Sequence, residues 1–157
     1  MRDRVAEVVG IDPDEPSIVE ARSYGDDIRY EVTDLESADL EPHSFDVVAA
    51  VASLHHMDHH TALSRLASLV APGGVLLVVG LARSKTPREH ARDGIDAIAV
   101  RPHVLVRGVW HTPAPKTWPP PVTYTEARRE AEAILPGVEY RRVAHFRYTL
   151  RWVNRGA

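Results

Sequence analysis

The sequence predicts an α/β domain on a mostly parallel sheet, from three observations. Short apolar runs stop at turn residues, helical spacing of apolar residues separates several of them, and the last two runs follow one another with no helix between. Glu7 to Ile11 is the first run, and it stops at Asp12-Pro13, where proline cannot donate to a ladder. Pro16 in a first turn, then Ile18, Val19, Ala21 and Arg22 up to Gly25, predicts a short helix. Ile28 to Val32 alternates and ends at Thr33-Asp34, which predicts the second strand. Phe45 to Ala52 is nearly all apolar, as a strand covered on both faces should be. Asp58 is placed to cap a helix in which Ala62, Leu63, Leu66, Ala67 and Val70 recur at helical spacing. Pro72-Gly73-Gly74 predicts a turn, and Val75 to Gly80 a further, fully buried strand.

Beyond this point the pattern changes. Residues 83–122 hold one helical face (Ala91, Ile95, Ile98) and then a proline-rich stretch from Thr112 to Pro121, which favours extended, stiff backbone and predicts a covering segment. Thr123 to Glu126 has the form of a capping box, and Ala127, Ala131, Ile134 and Leu135 make one helical face that stops at Pro136-Gly137. Val138 to His145 and Phe146 to Val153 predict two strands, an antiparallel pair at a sheet edge. The expectation is one domain over residues 1–157.

Composition excludes several classes. The 157 residues carry 22 acidic and 19 basic side chains, a net −3, and no cysteine, so neither a disulfide framework nor a thiolate metal site can form. No apolar run approaches the ~20 residues of a spanning helix, and Met1 to Ala6 lacks the apolar stretch of a signal peptide, so a cytoplasmic protein is expected. Charge is uneven: the first 60 residues hold 15 acids and 4 bases, a balance of −11, against +8 for the rest. The basic residues of the second part are dispersed, which argues against a nucleic-acid surface.

The run Leu54-His55-His56-Met57-Asp58-His59-His60 places four imidazoles and a carboxylate within six residues. His55/His59 and His56/His60 have i, i+4 spacing, but no Glu follows the first His, and a strand end before the run with a cap at Asp58 means that it straddles a turn. No metal set is expected there.

In order and spacing, four stretches resemble the class I S-adenosylmethionine-dependent methyltransferases of the small-molecule branch. Val8 to Asp12 is similar to that family's second strand with its acidic end, and Tyr30 to Leu35 to its third strand. Ser44 to His56 resembles the fourth-strand motif, and Leu69 to Val78 the turn and fifth strand, with Phe146 to Leu150 suiting the closing hairpin. The resemblance implies a Rossmann-like methyltransferase sheet, mostly parallel with a C-terminal antiparallel hairpin, and S-adenosyl-L-methionine as cofactor. It implies ribose binding by Asp12, with Pro13 beside it, and an adenine contact from Asp34 with Leu35 over the ring. Val51, Ala52 and Ser53 would line the sulfonium side, and His55 or His56 would act as acid/base toward a small-molecule acceptor. Read from the residues alone, Asp12 is equally a helix cap, Asp34 a turn residue and each histidine a surface or packing residue. Trp110, Trp118 and Tyr124 are candidates for an aromatic wall beside the acceptor, or ordinary core.

One departure stands out. The family's first strand and glycine-rich loop have no counterpart: the nine glycines are at 10, 25, 73, 74, 80, 94, 108, 137 and 156, and no G-x-G occurs. In the family strand order 3-2-1-4-5-7-6 the lacking strand is central, and an empty slot would leave backbone groups unpaired at about 1–3 kcal/mol each if buried. Three outcomes remain open: a fragment with residues upstream, a second copy or complementing chain that supplies the strand, or a sheet that closes up and loses the cofactor. A cofactor-free assembly module is accordingly the alternative to a methyltransferase.

Overall fold

The computed structural model describes residues 7–25, 27–95, 119–144 and 146–156. The chain divides into two compact units, in the described residues 7–40 and 41–156.

The first unit is a strand–helix–strand element. β1 (Val9–Asp12) and β2 (Arg29–Val32) pair in parallel, with Val9 opposite Arg29 and Asp12 opposite Val32, and α1 (Glu15–Arg22) connects them. The helix forms with Pro16 in its first turn as expected, but it ends at Arg22, short of Gly25. Asp14 is the N-cap, its carboxylate accepting from the Ser17 amide at 3.0 Å and the Ser17 hydroxyl at 2.6 Å, and Pro16 lies in the first turn, where its lack of an N–H is harmless. Arg22 reaches from the last turn to the Tyr30 carbonyl at 2.8 Å, tying helix to strand. Ile18, Leu35 and Ala38 are its buried apolar residues.

The second unit holds a four-stranded sheet in the order β3-β4-β6-β5: β3 (Phe45–Val51), β4 (Val70–Leu81), β5 (Glu139–Val143) and β6 (Arg147–Val153). β3 and β4 are parallel, joined by a 3-10 turn at Leu54–His56 and α2 (His59–Leu69); β6 is antiparallel to both β4 and β5, so the expected hairpin forms with β5 outermost. A helix over residues 87–95, α3, follows β4, and α4 (Tyr124–Ile134) precedes β5. Two capping boxes start these helices. Thr123 and Glu126 exchange backbone bonds as expected, and Thr86 and Glu89 do the same for α3 (2.8 and 3.3 Å), although only the first was read from the sequence.

Two expectations need correction. The strands of 45–52 and 75–80 are not covered on both faces: Val48, Ala50, Leu76 and Val78 are buried against the helices, whereas Val47 is 57% and Val51 69% exposed on the other face, with Leu77 beside them. An apolar run says that a strand suits a sheet interior; it does not say what packs on each side. Pro72-Gly73-Gly74 is not a turn between elements but an irregularity inside β4. Phe45 is opposite Val70 and Val47 opposite Val75, so the excursion absorbs three extra residues. Gly73 takes a φ of 83°, and a Cβ on Gly74 would lie 2.9 Å from the carbonyl oxygens of Ala71 and Asp46. Of the three outcomes left open by the sequence, a single closed-up sheet does not form: β1 and β2 make a two-stranded sheet and β3 to β6 a four-stranded one. The proline-rich stretch through residue 118, with Trp110 and Trp118, lies outside the described residues.

The helix-covered face is held by a chain of side chains crossing every layer. Tyr140 of β5 stacks on Tyr148 of β6, with ring centroids 5.5 Å apart and planes within 13°. Tyr148 is fully buried and crosses over Gly80, its partner on β4, to meet α2. A Cβ on residue 80 would collide with the Tyr148 ring and hydroxyl. Replacing Gly80 by Ala should therefore lower stability by about 1–3 kcal/mol through overpacking. Gly94→Ala, in α3 with open space at the Cβ position, should raise it by about 0.5–1 kcal/mol. Urea midpoints of the two variants check the opposite signs.

Candidate active site

In the first unit the parallel register brings two of the expected residues to one sheet end. Asp12 closes β1, level with Val32, and Asp34 follows β2 by two residues. Asp12 does not cap α1, since Asp14 does; its Oδ1 accepts from the Asp14 amide at 2.8 Å, and Oδ2 has no partner among the described residues. The Asp34 carboxylate holds the turn that follows it. Oδ1 accepts from the amides of Ser37 (2.8 Å) and Glu36 (2.9 Å), and Oδ2 from the Ser37 hydroxyl at 3.1 Å. These bonds, the Ser37 amide first and its hydroxyl next, hold Asp34 below the usual carboxylate range. Pro13 is exposed, and Leu35 is packed inside the unit.

In the second unit the remaining residues follow one another off the carboxyl end of β3. Val51 and Ala52 are exposed, and Ala52 turns the chain with a φ of 53°, a left-handed conformation in which a non-glycine residue is strained. Its amide still bonds the Val79 carbonyl at 2.7 Å, so the strain falls directly after the last ladder bond. Ser53 opens the 3-10 turn with no side-chain cap bond. His56 is exposed; His55 is only 8% exposed, with the two ring centroids 3.9 Å apart. Burial first, and then His56, pushes His55 below its ordinary value, so it is neutral at pH 7. Its buried Nδ1 has no hydrogen-bond partner among the described residues. A neutral imidazole with an unpartnered nitrogen keeps the capacity to accept a proton or a hydrogen bond.

The histidine run divides as expected: His55 and His56 lie in the 3-10 turn, Asp58 caps α2 by accepting from the Thr61 amide at 2.8 Å, and His59 and His60 begin the helix. Among the described residues no group of three or more His, Asp or Glu side chains is placed to hold a metal ion. Tyr124, considered for an acceptor wall, is buried in the core with the Arg142 guanidinium 3.9 Å over its ring. Arg142 also bonds Asp93 at 2.6 Å and so ties β5 to α3.

His59 has a different surrounding, which the sequence reading missed. It is 5% exposed, with Nδ1 2.6 Å from Glu130 Oε2 and Nε2 2.7 Å from the Tyr148 hydroxyl. A carboxylate only accepts, so Nδ1 carries a proton and donates to it. Nε2 accepts from Tyr148 when the ring is neutral and donates to it when charged, so both nitrogens are satisfied in either state. One signal was present in the sequence: Glu130 lies one turn from Ala127 and beside Ala131, an acid bordering the apolar stripe of α4.

The parallel strands with an antiparallel last strand and connecting helices make an α/β fold. The comparisons agree. Residues 1–78 match a family described as "Methyltransferase domain". Uncharacterized methyltransferases of Mycobacterium bovis and Mycobacterium tuberculosis are 37% identical over 156 residues, covering 95% of this chain and 77% of theirs. Among solved structures, an S-adenosylmethionine-dependent methyltransferase from Mesorhizobium loti aligns with a TM-score of 0.58 at 18% identity, over 95% of this chain and 81% of that one. A Pyrococcus horikoshii protein aligns with 0.61 at 16%, over 98% and 74%. The chain belongs to the class I S-adenosylmethionine-dependent methyltransferases. Among its described residues no helix is long and apolar enough to cross a membrane.

Two outcomes follow from the ionisation pattern. His55 should titrate below 6.5 when its ring signals are followed by NMR. Asp34, Asp58 and Glu126 are held low chiefly by backbone amides, of Ser37, Thr61 and Thr123 respectively. With folded values below the unfolded ones, their stabilisation is complete above the unfolded values and is lost as pH falls through the folded ones. Urea midpoints should therefore decline from about pH 4.5 downward and be flat, for these groups, from pH 5 to 7.

Proposed function

We propose that the chain binds S-adenosyl-L-methionine and transfers its methyl group to a small-molecule acceptor, with His55 taking the acceptor's proton. The methyl-transfer class follows from the family. The role of His55 rests on one observation: a buried imidazole, neutral at pH 7 and with an unpartnered Nδ1, directly follows the carboxyl end of a parallel strand.

The residues present suit the cofactor in part. Asp12 keeps one carboxylate oxygen unused for ribose hydroxyls, with Pro13 exposed next to it, and Asp34 follows β2 at the same sheet end toward adenine, whereas Leu35 is buried inside the unit. Within the second unit, Val51, Ala52 and Ser53 are the residues the family resemblance assigns to the sulfonium side, and Val51 and Ala52 are exposed. No G-x-G loop is present in the sequence to approach the methionine part. When bound, S-adenosylmethionine supplies an electrophilic methyl group on a sulfonium. The protein then has little to do beyond holding the acceptor in line and receiving the proton its hydroxyl or amine loses. His55 suits that second task, and His56, exposed and close to its ring, would orient the acceptor in this reading.

Titration calorimetry with S-adenosylhomocysteine should give saturable binding near the micromolar range. No heat from the folded, monodisperse chain would overturn the reading. With an acceptor found by screening, His55→Gln should lower kcat about 100-fold or more while leaving S-adenosylhomocysteine affinity within a few-fold. Equal loss of both would remove His55 from the proton-transfer role.

A further inference from the structure

We propose that Glu130, His59 and Tyr148 form a positioning device that holds His55 in its buried place; this rests on the reading of His55 as proton acceptor. His55 makes no side-chain hydrogen bond at Nδ1 that could anchor it, so its place is set by its backbone turn and packing. That turn is short: the His56 amide bonds the Ser53 carbonyl at 3.1 Å and the Met57 amide bonds Leu54 at 3.2 Å. Met57 is extended, Asp58 caps, and α2 begins at His59, only four residues from His55. A shift of the first turn of α2 therefore shifts the turn carrying His55.

His59 fixes that first turn. Its ring bonds reach residues 71 and 89 positions further along the chain, one on α4 and one on β6. The Glu130 end is partly open, with 27% of its side chain exposed, whereas Tyr148 is fully buried, seated over Gly80 and stacked on Tyr140. No acceptor can reach the Tyr148 hydroxyl, so the three residues act through His55 rather than on the substrate. The ionisable groups around His59 are Glu130 from α4, Tyr148 from β6, and Asp58 and His60 on its own segment. Two bonded ring nitrogens fix both the position and the rotation of the imidazole, which one bond would not.

The test uses the full chain and two readouts. Tyr148→Phe removes the hydroxyl but keeps the ring; Glu130→Ala removes the carboxylate at the open end; Glu130→Gln keeps an oxygen that can accept from Nδ1–H. Glu132→Ala, which breaks only the exposed Arg128–Glu132 pair on the same helix, is the control. In folded Tyr148→Phe and Glu130→Ala, the His55 ring signals should shift and its titration midpoint rise toward 6.5, with kcat about tenfold lower and KM for S-adenosylmethionine within twofold. Glu130→Gln should restore most of both, and Glu132→Ala should change neither. If Tyr148→Phe does not fold, the Glu130 pair decides alone. Unchanged His55 signals and midpoint in the folded Glu130→Ala chain would overturn the proposal. The NMR readout needs no turnover, so a His55 that moves in a chain that methylates nothing supports the device while removing the catalytic reading.

Discussion

The bond pair at His59 is the constraint around which the second unit is organised. Tyr148 reaches α2 because β4 has glycine at the position it crosses, and β6 can bring it there because it lies antiparallel beside β4 with Tyr148 opposite Gly80. Glu130 reaches the same ring because the capping box at Thr123 starts α4 where its fourth residue, Ala127, and eighth, Ala131, face the core. An unsatisfied buried donor or acceptor costs about 1–3 kcal/mol, and both His59 ring nitrogens escape that cost. The buried apolar residues of the unit, Leu63, Leu66, Val78 and Leu150 among them, supply cohesion, while the histidine ties α2 to α4 and β6 through directional bonds.

His55 and His59 show how two residues of one type, four apart, take opposite parts. His59 has both nitrogens bonded; His55 is nearly as buried with an unpartnered Nδ1. The strain at Ala52 belongs with the second condition. A left-handed alanine and an unsatisfied buried nitrogen both oppose stability, and both lie within four residues at the end of β3. Local costs of this kind concentrate where a chain binds or reacts, and the well-satisfied residues immediately after them hold the segment in place.

Some of this was legible from local chemistry. The caps at Asp58 and Thr123 were read correctly because a capping residue and its partner are three positions apart and need no tertiary information. The division of the histidine run was legible for the same reason. Asp12 and Asp34 could be placed at strand ends, but not assigned: only the structure shows that Asp14 takes the cap and that Asp34 spends its oxygens on Glu36 and Ser37. The excursion at Pro72-Gly73-Gly74 was misread because the same residues serve a turn and a bulge, and the difference lies in whether the flanking segments continue along one strand.

By itself the sequence determined the order and type of the main elements, the helix caps at Asp58 and Thr123, the antiparallel closing pair, and a family pattern spread along the chain. These rest on periodicity, turn chemistry and short-range hydrogen bonds, all carried by residues close in sequence. Tertiary structure decided which face of β3 and β4 is covered, that the strands fall into two sheets, and that His59 rather than His55 is bonded to a glutamate 71 and a tyrosine 89 residues away. Such pairings depend on which surfaces meet once the helices pack, and an imidazole carries no mark in the sequence of the partner it will find.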